Sequence, residues 1–88
     1  MFVNGQLVNK TITNSDNNYS LDGMINPTFQ NTGETNVLID GRKVASGESY
    51  SINAPNVILT NSISIVFESE AGKANILNVG YVQTIVTL

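Results

Sequence analysis

Residues Thr28–Ile52 read TFQNTGETNVLIDGRKVASGESYSI. Short runs of apolar and β-branched residues alternate here with turns, and every turn carries a glycine. The sharpest signal is Asp40-Gly41, between Val37-Leu38-Ile39 and Arg42-Lys43-Val44. A two-residue hairpin turn of type I′ needs positive φ at both central positions, and Asp-Gly supplies it. Gly33 follows Asn31-Thr32 and Gly47 follows Ser46, so both punctuate the chain on either side. Tyr50 and Ile52 then alternate with Ser49, Ser51 and Asn53, the period of a half-buried strand. The stretch predicts three or four short strands joined by tight turns.

The same pattern extends outward. Phe2 and Val3 precede Asn4-Gly5, a second type I′ pair, and Leu7, Val8 and Thr11-Ile12-Thr13 follow it. Residues 1–13 therefore predict an opening hairpin. The short flank before Asn4 equally fits an arm, Met1–Val3, that pairs with something else. Residues 14–23, NSDNNYSLDG, predict a polar loop closed by Asp22-Gly23. Pro27 has no N–H to give a ladder, so a strand start or an edge is expected there.

Ser62–Glu70 alternates, with Ile63, Ile65 and Phe67 on one face. Ala71-Gly72 with Lys73 predicts a hairpin loop from which Ala74–Val79 returns. Gly80 interrupts a β-rich run reaching Leu88 and predicts a bulge or bend. Both faces of that last run are apolar, as in a strand covered on both sides or one that meets a neighbouring subunit. No window sustains a helical period. The expected fold is all-β: a small antiparallel sandwich or barrel of about seven or eight short strands, without substantial helix.

Composition narrows the function. The 88 residues predict a single domain, 1–88. A chain of this size buries roughly 60–65% of its unfolded surface, and many such domains gain stability by oligomerising. Cysteine and histidine are both absent. That excludes disulfides, Cys-based zinc or redox sites, and the commonest general base and metal ligand. Lys10, Arg42, Lys43 and Lys73 are the only cations in a chain of net charge −3, too few and too scattered for phosphate neutralisation, so no nucleic-acid partner is expected. No apolar run approaches a membrane span, and the N-terminus lacks a basic region and a signal-type apolar core. A soluble protein made in the cytoplasm is expected.

Charged residues make up 12% of the chain, about half the usual share. Asn, Ser and Thr supply the polarity instead, 29 of 88 residues. Neutral amides and hydroxyls cost less to desolvate than charges. Such a surface suits a protein that lives in an assembly.

Chemistry-bearing patterns are sparse. Asp16, Asn18, Ser20 and Asp22 alternate faintly like a calcium loop, but Leu21 and Pro27 stand where that loop needs Gly and Glu. Glu68 and Glu70 lie one strand step apart on one face, not across a cleft as glycoside hydrolysis requires. Asn9-Lys10-Thr11 and Asn18-Tyr19-Ser20 match the glycosylation pattern by composition alone. No residue set meets the requirements of acid–base catalysis, and no cofactor or metal is expected.

Asn31-Thr32-Gly33, Thr35-Asn36-Val37 and Gly47-Glu48-Ser49, followed by the run Ile63 to Val86, resemble small β-modules of bacteriophage virion proteins. The resemblance covers about two thirds of the chain and rests on turn chemistry. It implies a head decoration or vertex protein, or a tail component. Such a protein is made in the host cytoplasm and housed in the virion. It works by binding copies of itself and other virion proteins, and no catalytic residue is carried over. Contacts are expected from Met1, Phe2 and Val3, from Tyr19 in the polar loop, and from Tyr81, Ile85, Val86 and Leu88 in the terminal strand. A different class of function, a carbohydrate- or receptor-binding module, would use Tyr19 with loops 14–23 and 53–56. Tyr19, Tyr50 and Tyr81 could form its sugar-stacking platform.

Overall fold

The turn at Asp40-Gly41 is the tip of the whole architecture. The structure, a computed structural model, describes residues 4–84. Asp40 and Gly41 have φ of 50° and 83°, as a type I′ turn demands. They join β4 (Val37–Ile39) to β5 (Arg42–Val44), with Ile39 opposite Arg42. Moving outward along both arms, β3 (Met24–Asn31) pairs with β6 (Ser49–Ser51). Beyond them β2 (Asp16–Ser20) pairs with β7 (Ser62–Phe67). Last, β1 (Gly5–Ile12) pairs with β8 (Leu77–Thr84). The chain is one long antiparallel ribbon folded at its middle.

The ribbon then rolls up. β8 adds to β3 and β7 adds to β4, giving two four-stranded sheets of order β1-β8-β3-β6 and β2-β7-β4-β5. Every pairing is antiparallel. This is the strand order of a jelly roll, the double-sheet form of the β-sandwich with two Greek keys. No helix forms among the described residues.

Rolling is driven by the inner face. Phe29, Leu77, Val79 and Tyr81 of one sheet meet Val37, Ile39, Ile63, Ile65 and Phe67 of the other, all buried. Fully burying such a side chain contributes roughly 1.5–3 kcal/mol, much of it offset by the entropy of ordering the chain. The two sides of the sandwich close differently. On one side the Arg42 guanidinium lies 4.8 Å from the centre of the Tyr50 ring, which stacks on Phe29 at 6.4 Å. A cation over an aromatic face bridges the edge strands β5 and β6 there. On the other side lie the edges β1 and β2.

Asn31 anchors the inner turn of the ribbon. It is wholly buried, and its Nδ2 donates to the carbonyls of Thr35 (2.8 Å) and Val44 (3.1 Å). Its Oδ1 accepts from the Gly33 N–H at 3.1 Å. Gly33 is needed for space. A Cβ there would lie 2.5 Å from the backbone nitrogen of Ile76.

Several sequence expectations change. Asn4-Gly5 does not turn. Gly5 begins β1 opposite Thr84, and residues 5–12 form one strand, since β8 offers them a ladder of eight partners. Residues 16–20 form an edge strand within the expected loop, held by local bonds such as Asn18 N–H to Asp16 Oδ1 at 2.9 Å. β7 and β8 do not form a hairpin. Gly72 makes its turn, with φ of 78°, but the two strands enter opposite sheets. The expected irregularity at Gly80 lies across from it, in β3. The register shifts between Ile25 and Thr28, where Asn26 has φ of 50° and the buried Pro27 needs no N–H. Pro27 is thus inside a central strand, at a bulge, not at a strand start or edge.

Candidate functional site

β8 lies between β1 and β3, so its outward residues sit in rows with those of its neighbours. One row runs Leu7, Val82, Ile25. The next runs Asn9, Gly80, Thr28, Ser51. A third runs Thr11, Asn78, Gln30, Ser49. None of these residues is charged. Gly80 has no side chain and is flanked by Asn9 and Thr28, so the middle row sinks. A groove of about 510 Å³ opens there, lined by residues that include Asn9, Lys10, Thr11, Thr28, Asn78 and Gly80. A Cβ at Gly80 would meet Asn9 Oδ1 at 2.9 Å.

The groove walls are tied together. The Thr11 hydroxyl donates to Asn78 Oδ1 at 3.1 Å, and Asn78 Nδ2 donates to the Thr32 hydroxyl at 2.9 Å. This polar ladder joins β1 and β8 to the turn that follows β3 and is held in place by bonds of its own. Amides and hydroxyls in such a groove can donate to and accept from neutral partners. They offer no acid, base or nucleophile activated by a neighbour.

The sequence-nominated residues are dispersed. Tyr81 is 6% exposed and belongs to the core, because odd-numbered β8 residues point inward; it does not face a partner. Tyr19 sits on the edge strand β2, half-buried against the core. Burial pushes its phenol above the ordinary 10.0, while nearby Lys10 pulls it back. Tyr50 points inward beneath Arg42. The three tyrosines therefore make no common platform. Met1, Phe2, Val3, Ile85, Val86 and Leu88 lie outside the described residues.

Of the turn residues, Gly47 and Gly72 adopt positive φ as Gly41 does, whereas Gly33 and Gly80 serve close approach. Glu68 faces Lys43 at 3.8 Å, and Glu70 pairs with Lys73 at 2.7 Å. The hydrogen bond to Lys73 lowers the Glu70 carboxyl below its ordinary range. Both are surface ion pairs. Asp16 and Ser20 accept the backbone N–H groups of Asn18 and Asp22, and among the described residues no group of carboxylates is placed to hold a metal.

The groove residues escape sequence reasoning because they come from three separate segments. The usable signal is the run of small polar residues at alternate positions of β1 and β8, Asn9 and Thr11, then Asn78 and Gly80. No protein-family model matches this chain, and neither does any curated protein or solved structure.

Proposed function

We propose that this chain is a non-enzymatic structural protein of a bacteriophage particle, a capsid, vertex or tail component that packs against copies of itself and other structural proteins. The observation that carries the reading is the strand order, β1-β8-β3-β6 over β2-β7-β4-β5. Viral capsid subunits use this architecture. Lectins and cupins use it too, and it is the surface that favours packing. The outward rows of β1, β8, β3 and β6 carry amides, hydroxyls and apolar groups without a charge. Covering them with protein costs little desolvation. The turn motif around Asn31 and Gly47 supports the same reading.

Light scattering behind a sizing column, with electron microscopy of the fractions, tests it. Regular multi-copy assemblies that grow with concentration are expected. A monomer at every concentration would overturn self-association.

A second reading rests on the groove. Its ladder of Asn, Gln and Thr matches the hydroxyls of a neutral sugar. Chemical-shift changes at Asn9, Thr28 and Asn78 on adding oligosaccharides would favour it, and a silent glycan array would remove it.

A further inference from the structure

The four sheet edges are not equally protected. β5 and β6 are three residues long, and β5 carries Arg42 and Lys43. β2 is five residues long, and its register breaks between Asp16 and Tyr19. Short, charged or bulged edges discourage pairing. β1 is the least protected of the four, with Lys10 as its one device. It is eight residues long, in unbroken register with β8, and carries a single charge, Lys10. Among the described residues no strand pairs with its outer edge. Leu7, its third residue, is 70% exposed, the most exposed large apolar side chain described.

We propose that β1 is the contact for a second copy of this chain, the two β1 strands pairing antiparallel about a two-fold axis at Leu7. A two-fold axis perpendicular to the sheet keeps outer face beside outer face, so only registers joining residues of like parity are allowed. Centring on Leu7 sets Leu7 against its own symmetry mate. Gln6 then faces the second copy's Val8, Gly5 its Asn9, and Asn4 its Lys10. No like charges meet. The apolar row Ile25–Val82–Leu7 continues directly into the same row of the second copy, covering the exposed Leu7. The two sheets become one of eight strands. This contact rests on the self-association proposed above and names its surface.

Leu7 touches solvent more than core, so its replacement leaves the fold intact, which circular dichroism melts verify. Leu7→Lys places two cations face to face at the axis. It is expected to weaken the dimer, measured by sedimentation equilibrium, by at least about tenfold. Ile58→Lys, at another exposed apolar site, is expected to leave it unchanged. The chain has no cysteine, so Leu7→Cys introduces a single thiol. Directly opposed residues have Cα atoms about 4.5–5.5 Å apart, within the span a disulfide bridges once an oxidant such as oxidised glutathione is added. Asn9→Cys, opposite Gly5, is expected not to link.

Cross-linking through position 9 but not 7 would overturn the register. A wild-type assembly untouched by Leu7→Lys would overturn the β1 contact and leave the structural role standing. A wild-type chain monomeric up to about 1 mM would overturn both.

Discussion

Asn31 shows how much one neutral side chain holds. It reaches β5 through Val44, the following turn through Thr35, and Gly33 through its acceptor oxygen. Asn31→Leu fills the same space and removes all three bonds; the Thr35 and Val44 carbonyls lose this buried donor, while the Gly33 N–H keeps its bond to the Ile76 carbonyl. The expected loss is about 2–4 kcal/mol, read as a lower urea midpoint, since each unmet buried group costs about 1–3 kcal/mol. Tyr19 sets an alkaline limit. Its phenol is raised by burial, so the fold favours the neutral form. The stability this contributes is full below the unfolded phenol's pKa, near about 10, and is lost as pH rises through the higher folded value. Thermal melts at about pH 9 and pH 11 should show a drop in the wild type. Tyr19→Phe should lessen that drop, and an equal drop in both would refute the assignment.

Among the elements, the β4–β5 hairpin does the most with the fewest residues. Its two strands have three residues each, so the turn must pre-set the pairing. Nothing lies within 4 Å of a Cβ built on Gly41, whose φ is +83°. Gly41→Val therefore tests backbone conformation without a clash. It is expected to cost roughly 1–2 kcal/mol, the penalty for a left-handed L-residue, and more where β-branching adds to it. A urea midpoint equal to wild type would show that the turn relaxes to another type. The edge strands divide the labour: β5 and β6 close one side through Arg42 and Tyr50, while among the described residues no strand covers the outer edge of β1.

The rolled ribbon also governs how the whole molecule folds. Among the described residues only Asp40-Gly41 joins strands that are neighbours in sequence and paired in a hairpin, and the outermost pairing joins Gly5 to Thr84. Non-local pairing is slow because loop closure precedes the contacts that reward it. Refolding by stopped-flow fluorescence of the tyrosines is expected on the millisecond-to-second scale typical of sandwiches. A microsecond phase carrying the full amplitude would contradict that. At this scale the surface is also divided, with inward rows apolar and the outward rows of one sheet neutral and polar around the groove.

Much of the strand content was legible locally. Period two at Ile63, Ile65 and Phe67 marked the inner face of β7, and Asp40-Gly41 specified its turn, because side-chain alternation and backbone φ are properties of adjacent residues. Composition likewise set the neutral surface. The sequence misled where a local motif had two possible partners. Asn4-Gly5 has the chemistry of a turn, yet Gly5 lies flat in β1 because β8 offers a longer ladder. Ala71-Gly72 turns as its chemistry requires, yet which sheets β7 and β8 enter depends on strands far away in the chain. Tyr81 looked like a contact residue until the register turned it inward. The groove belongs wholly to the tertiary structure, since Asn9, Thr28 and Gly80 meet only when three distant strands lie in register. Turns and faces were therefore the sequence's own determination. Partners, edges and the groove were decided by the rolling of the ribbon, because the pairing of distant strands is settled by which roll buries the most apolar surface.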